Sequence, residues 1–435
     1  MEALERILAD LAPAGPLAEA RLRAAEQVRA HGVPSTRQEA WKYTSLASLK
    51  DVAYRAASEA DGAVLDAPSL AALPLASTSP HRAVLVNGRF RADLSTLDAL
   101  PAGVRVTSIA AAVAADAEHV ATVYAEQYAP EAVFTALNAA LLDDGLIIEV
   151  DADSSLDAPL HLVFVAAGAT PLLRTPRVIV RAGRHARLRM IEEFVGQDGD
   201  HGLTNVVSDL SLDEGAVVDH HRLQNEPVST AQIGRVRATL AANATFNSDS
   251  VTFGGALTRI DIEVALAARG ARCRLNGLFA TTGTQHVDHH TLIDHQVGDT
   301  HSEELYRGIL DGRSRGVFNG KVLVRRDAQC ITAHQASNNL LLSRQAEVDT
   351  KPELEIYADD VSCAHGATVG ELDTQALFYL RSRGIDEAQS RALLTYAFAE
   401  KVVETIPLDS IRHAIEERFI GAGALSELEA LLKQS

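Results

Sequence analysis

The chain has 435 residues, 47% of them hydrophobic, with 40 Lys+Arg against 58 Asp+Glu for a formal charge of −18. That apolar content excludes wholesale disorder, and the length suits about three domain-sized units with a large buried core. The acidic balance argues against nucleic acid as the main partner, because phosphate binding needs clustered cations. Three widely spaced cysteines, Cys273, Cys330 and Cys363, leave no disulfide framework and no CxxC zinc pattern. With acid in the opening Met1-Glu2-Ala3-Leu4-Glu5-Arg6 and no apolar run near the ~20 residues of a membrane span, the expectation is a cytoplasmic protein without a membrane segment.

Along the chain, Leu4, Ile7, Leu8 and Leu11 fall on one helical face. Pro13-Ala14-Gly15-Pro16 breaks that helix, and a second is predicted over 17–30, stopped by His31-Gly32-Val33-Pro34. Arg37-Gln38-Glu39-Ala40-Trp41-Lys42-Tyr43-Thr44 then carries the single Trp. Val84-Leu85-Val86-Asn87-Gly88-Arg89-Phe90 reads as a hairpin with an Asn-Gly turn, and 107–142 as Ala-rich helix.

From about 133 to 365 a period of two dominates, as in Arg187-Leu188-Arg189-Met190-Ile191-Glu192. Turn residues Gly183, Gly215, Asn243, Gly270, Gly298 and Asp327 recur at 32, 28, 27, 28 and 29 residues. A repeat near 28 with strand content marks a stacked architecture, and a parallel β-helix of roughly eight rungs fits it best. An antiparallel β domain with irregular turn signals is the competing reading. Residues 370–435 return to helix: Leu393, Leu394, Ala397, Phe398 and Val402 form one apolar face, with Gly384 stopping the preceding helix and Asp386 capping this one. Ile411, Ile415 and Phe419 make another stripe, ended by Gly421 and Gly423. Such helices are expected to cap the open ends of the rung stack or to offer a docking surface. The boundaries expected are 1–132, mostly helical with a short hairpin; 133–368, β-helix core; and 369–435, helical.

Three groups of residues bear on chemistry. His286, His289, His290, His295 and His301, with Asp288 and Asp294, offer imidazole and carboxylate for zinc or iron, but at the spacing of no compact metal motif; stacked polar residues outside a β-helix are the alternative. Gly316-Val317-Phe318-Asn319-Gly320-Lys321 has too few residues between its glycines for a P-loop, and no hydroxyl residue follows. In Cys363-Ala364-His365, a strand would point thiol and imidazole the same way, roughly 6 to 7 Å apart. Those are ligands that iron–sulfur chemistry uses, although two alone cannot hold a cluster; an inert cysteine beside a turn histidine is the other possibility.

Asp311-Gly312-Arg313-Ser314 through Val317-Phe318-Asn319-Gly320-Lys321, Asn339-Leu340-Leu341-Leu342-Ser343, Lys351-Pro352-Glu353-Leu354-Glu355-Ile356-Tyr357-Ala358-Asp359-Asp360-Val361 and Cys363-Ala364-His365-Gly366-Ala367-Thr368 together resemble the SufB/SufD family of iron–sulfur cluster assembly. Phe378-Tyr379-Leu380-Arg381-Ser382-Arg383-Gly384-Ile385 and the Trp41 segment are similar to it too. The Cys-x-His-Gly-Ala-Thr form resembles the SufD branch, where the SufB branch has Glu-His-Glu-Ala-Thr and an N-terminal CxxC.

The resemblance implies a right-handed parallel β-helix flanked by helical regions. It implies a non-catalytic scaffold that pairs with SufB, binds the SufC ATPase and assists iron acquisition or cluster formation at the SufB interface. His365 carries over as the residue implicated, a ligand of iron or the nascent cluster, with Cys363 a weaker candidate at the same interface. SufC docking falls on the C-terminal helices, around Leu380, Arg383, Ile385, Leu394 and Phe398. No cofactor is expected to be held tightly in isolation, no nucleic acid or membrane is expected as a partner, and the isolated chain is expected to form a homodimer. Two other readings stand beside this one: a polysaccharide-acting β-helix enzyme, and an iron-binding protein using His286 to His301.

Overall fold

The segments of period two are strands in the computed structural model, which describes residues 2–421 except 12, 14, 16, 59, 62–69, 72–74, 76–77, 117, 119 and 121–131. In chain order the first are β1 (Arg55–Ala56), β2 (His81–Val86), β3 (Arg89–Phe90), β4 (Val104–Ser108), β5 (Gly145–Val150), β6 (Leu160–Ala166), β7 (Leu172–Arg174) and β8 (Arg177–Ala182). Longer strands follow: β9 (Arg187–Gly196), β10 (Leu203–Leu212), β11 (Val217–Asn225), β12 (Ala231–Leu240), β13 (Thr245–Thr252), β14 (Leu257–Leu266) and β15 (Arg272–Thr281). The last are β16 (His286–His295), β17 (His301–Leu310), β18 (Arg315–Val324), β19 (Ile331–Leu341), β20 (Glu347–Ile356) and β21 (Val361–Gly370).

The chain alternates between two sheets. One runs β20-β18-β16-β14-β12-β10-β8-β5-β4 and the other β21-β19-β17-β15-β13-β11-β9-β6-β2-β3. Val207 pairs with Arg235, Arg235 with Asp261, Asp261 with His290, His290 with Asn319 and Asn319 with Lys351, all parallel. Each turn of the coil therefore advances by 28, 26, 29, 29 and 32 residues, and about eight turns stack into a parallel β-solenoid. The antiparallel reading is overturned: antiparallel pairs occur at the N-terminal end, between β2 and β3 and between β4 and β5.

One corner of the coil is a column of left-handed residues: Asp153, His185, Gly215, Asn243, Gly270, Asp299 and Cys330. Each donates its N–H to a carbonyl one turn on, at Arg184, Glu214, Ala242, Arg269, Asp299, Gln329 and Asp360 in that order. The expected turn residues Gly183, Gly298 and Asp327 lie one to three positions away from this column. Asp and His tolerate the left-handed region well enough to stand where glycine would be sought.

Apolar side chains fill the lumen of the early turns, among them Leu146, Val180, Leu210, Ala238, Leu266 and Phe246. Helices α1 (Glu2–Ala9), α2 (Ala18–His31), α3 (Ala47–Lys50), α4 (Ile109–Ala115) and α5 (Val133–Ala140) lie on the N-terminal side of the chain. Ala24, Val28 and Leu137 pack with Ile179, Ile233 and Leu257 on the outside of the first sheet. Helices α6 (Thr374–Ser382), α7 (Glu387–Val403) and α8 (Asp409–Ile420) follow the solenoid. Ala399, Val402, Ile411 and Ile415 cover Ile191, Leu223, Val251, Leu278 and Ile309 on the outside of the second sheet.

The helices thus clothe the faces, and the C-terminal turn keeps an open end. On α7 the expected apolar face is rotated: Ala397 is exposed, while Thr395, Tyr396, Ala399 and Val403 are buried. Asp386 caps α7 by accepting the Gln389 N–H, and Gly384 is left-handed after α6, both as expected. The Asn87-Gly88 hairpin forms, with Leu85 paired to Phe90. The expectations at Ala14, Pro16, Gly423 and 121–131 lie outside the described residues.

Candidate functional site at the open end

Among the described residues, β20 and β21 each have a neighbour on one side only. In β19 the buried positions Ile331, Ala333, Gln335, Ser337 and Asn339 alternate with more exposed ones, so these five point into the lumen. Register carries that direction onto Val361, Cys363, His365, Ala367 and Val369 of β21. Cys363 and His365 therefore share the inner side of the last strand, as their spacing predicts. His365 is exposed because no further turn among the described residues covers it, and Val369 keeps 51% of its surface. Cys363 is half-buried beside Val322, Ile331 and Ala333, and burial pushes its thiol up, away from the reactive thiolate.

Behind His365 the lumen turns polar. Gln335, in register with it, donates from Nε2 to Glu304 Oε2 at 2.5 Å. Burial raises Glu304 to about 7. Thr350 of the first sheet donates to Ser337 Oγ of the second at 2.9 Å, tying the two sheets together across the mouth. Gly316 and Gly320 lie in strand β18, where a Cβ would run into Phe279 at the first and Gln335 at the second. Room for those side chains, rather than a phosphate cradle, explains the glycine pair.

The histidine-rich stretch divides between the two sides of β16. His289 and His295 point inward: His289 stacks on Phe279 with ring centroids 5.5 Å apart, and His295 bonds Thr300 and Ser302. Burial pushes them down to about 3 and about 4, so both are neutral at pH 7. His286, Asp288 and His290 face outward. Thr44 donates to Asp288 Oδ2 at 2.5 Å, Arg259 Nη1 donates to the same oxygen at 3.0 Å, and His290 Nε2 lies 3.0 Å from Oδ1. Burial alone would raise Asp288, but His290 and Arg259 outweigh it and hold the carboxyl well below its usual range. Asp294 pairs with Arg325, and His301 with Glu303. Among the described residues no three His, Cys, Asp or Glu side chains converge on a metal position. This stretch instead anchors the N-terminal segment: Arg259 lies 3.9 Å over the Trp41 ring and donates to the Ala40 carbonyl.

On the C-terminal helices Leu380, Ile385 and Leu394 are half-buried and Arg383 is exposed, stacked 5.3 Å over the Tyr379 ring. Phe398 is half-buried against the solenoid, where Arg307 sits 4.5 Å over its ring. The two most exposed aromatics there, Phe378 at 74% and Tyr379 at 57%, immediately precede Leu380 and were not among the expected docking residues. Cys273 is buried in the lumen, and Cys330 is exposed, donating to Asp360 Oδ2 at 3.0 Å.

Residues 164–398 match the SUF system FeS cluster assembly, SufBD core domain, and residues 5–162 match the SufBD protein N-terminal region. The chain belongs to the SufBD family. It is 30% identical to an iron–sulfur cluster assembly SufBD family protein of Synechocystis sp. over 92% of this chain and 90% of that one. It is also 30% identical to the iron–sulfur cluster assembly protein SufD of Escherichia coli, over 90% of each chain. The chloroplastic protein ABCI7 of Arabidopsis thaliana is 31% identical over 64% of this chain and 61% of its own.

This chain is therefore an iron–sulfur cluster assembly protein of the SufBD family. Within the SufBD core, the sequence singled out Cys363 and His365, and the structure places Gln335 and Glu304 behind them, which the sequence did not single out. Their one signal was register: Glu304, Gln335 and His365 are 31 and 30 residues apart, one coil turn each. No helix among the described residues is long and apolar enough to cross a membrane.

Proposed function

We propose that this SufBD protein is the SufD-type scaffold of a cluster-assembly complex. It pairs with a SufB subunit through its open last turn, carries a SufC ATPase on its C-terminal helices, and presents His365 to iron or the nascent cluster as cargo. The observation that carries this reading is the uncapped last turn with His365 at the mouth of the lumen. Strand β21 has unpaired backbone groups along one edge, which a second sheet can satisfy. An imidazole on that edge then lies in the seam, where the partner supplies the further ligands that Cys363 and His365 lack. The scaffold itself is non-catalytic. Nucleotide hydrolysis comes from SufC, since the Gly-Lys segment here is a strand. Phe378, Tyr379, Leu380, Arg383 and Ile385 give SufC an exposed aromatic and cationic surface, backed by Leu394. The setting is cytoplasmic, and in isolation the same edge pairs two copies of the chain.

No observation favours a polysaccharide-acting enzyme. Carboxylates on the outer face of the first sheet are tied to cations: Asp261 to Arg259, Glu263 to Arg235, Asp349 to Arg315, Glu353 to Lys351 and Glu355 to Lys321.

Co-expression with SufB and SufC, followed by native mass spectrometry, tests the assembly. A 1:2:1 SufB:SufC:SufD-type complex is expected, and a chain that ignores both partners overturns the reading. In that complex His365→Ala is expected to leave folding and stoichiometry intact and to block cluster formation. A fully active variant would remove His365 from the site.

A further inference from the structure

Glu304, Gln335 and His365 occupy one inward column on β17, β19 and β21, each in register with the next. Neighbouring parallel strands lie about 4.8 Å apart, so Gln335, bonded to Glu304 on one side, stands one strand spacing from His365 on the other. Glu304 is 4% exposed and Gln335 3% exposed. At the 2.5 Å contact Gln335 Nε2 donates to Glu304 Oε2, and above about pH 7 the ionised carboxylate can only accept. That fixes the amide the other way round as well: Oε1 of Gln335 is the end left over, and it is buried without a partner. Gly320, across the lumen, has no side chain where Gln335 lies. A buried carboxylate and an orphaned carbonyl are both costly, and a column that keeps them needs something to satisfy the carbonyl.

We propose that Glu304 and Gln335 are positioning residues for His365: Glu304 holds the Gln335 amide so that its carbonyl accepts the N–H of the His365 ring. The ring is then held in one tautomer, with its other nitrogen free for iron or the nascent cluster. Histidine ligands commonly donate their second N–H to a carbonyl or carboxylate, which fixes orientation and raises basicity. Here the device is two residues deep and lies inside the solenoid, so it is in place before any partner docks. The inference rests on the proposed role of His365 in cargo binding, but its test does not.

The test is the nitrogen NMR spectrum of the imidazole rings in the isolated full chain, recorded well above pH 7 so that Glu304 is ionised. His365 is identified as the ring missing from His365→Ala. One tautomer is expected to dominate in the unsubstituted protein. Gln335→Met keeps the volume and removes the acceptor, and it is expected to move the tautomer ratio about fivefold to tenfold towards that of free histidine, the size of one net hydrogen bond. Glu304→Gln keeps the shape, frees the amide to turn over, and is expected to move the ratio in the same direction. A ring signature unchanged in the folded variants overturns the proposal, and either variant suffices if the other fails to fold. If His365→Ala proves fully active in the assembled complex while Gln335→Met shifts the tautomer, the cargo role fails and the positioning stands. The reverse pattern removes the positioning alone.

Discussion

Burial perturbs two neighbouring lumen residues in opposite directions of net charge, and each leaves a different mark on stability. Glu304 is raised from an ordinary carboxyl to about 7. Between about pH 4.5 and 7 the native state keeps a proton that the unfolded chain has released, so this contribution is present below that window and is lost as pH rises through it. Glu304→Gln should therefore lose less stability than the unsubstituted protein between pH 5 and 8, by about 1.4 kcal/mol per pH unit inside the window. His289 is pushed down to about 3, so between that value and 6.5 the unfolded chain binds the proton first. Its contribution is present above pH 6.5 and is lost as pH falls. His289→Gln should lower the acid sensitivity between pH 6.5 and 4, whatever it costs in stacking on Phe279 and Tyr306. Denaturant midpoints across pH measure both, and slopes equal to those of the unsubstituted protein would show that neither group titrates as described.

At the scale of elements, the segment 37–44 is a clasp on the first sheet. Trp41 lies between Arg259 and Phe134, Thr44 donates to Asp288, and Glu39 pairs with Lys351 at 2.8 Å. Thr44→Val keeps the shape and leaves Asp288 one donor short, which should cost about 1–2 kcal/mol. Trp41→Ala should cost less than the ~3–5 kcal/mol of a fully buried aromatic, since Trp41 is half-exposed. Both variants should make the chain around residues 31–50 more sensitive to limited proteolysis while the solenoid stays resistant, and an unchanged cleavage rate would remove the clasp. None of this clasp was legible in the sequence, because Ala40 and Arg259 are 219 residues apart. Local signals did better. The period of two, the Asn87-Gly88 hairpin and the Asp386 cap all depend on neighbours within a few residues. The corner column was off by one to three positions because His185, Asp299 and Cys330 take a conformation that sequence reading assigns to glycine. The α7 face was rotated because α7 packs against the second sheet, α6 and α8, and a single-helix stripe cannot anticipate three contacts. Of the candidate site, the shared inward side of Cys363 and His365 was legible from their spacing, and the alignment of Glu304 and Gln335 behind them was not, because only the coil register brings them into line.

At the scale of the molecule, the two ends of the solenoid differ. The N-terminal end is finished by the antiparallel strands β3 and β4, whereas the C-terminal end stops on parallel strands with one free edge each. The two free strands also differ from each other. β20 carries Glu347, Asp349, Lys351, Glu353 and Glu355, the kind of charge that protects an edge. β21, Val361–Gly370, carries no Lys, Arg, Asp or Glu and is exposed along most of its length. An uncharged free edge of ten residues is the kind that a second sheet can extend, and β21 is therefore the edge on which to test the proposed pairing. A lysine at the open mouth of the lumen should block pairing with little effect on the buried core. Val369→Lys, at a position half open to solvent, should change unfolding stability by no more than about 0.5 kcal/mol. It should also abolish the self-association proposed for the isolated chain and weaken capture of the proposed SufB subunit. Native mass spectrometry across a concentration series separates the two outcomes. If the lysine variant associates as the unsubstituted chain does, the open end is not the interface, and His365 would then face solvent in the assembly instead of a partner.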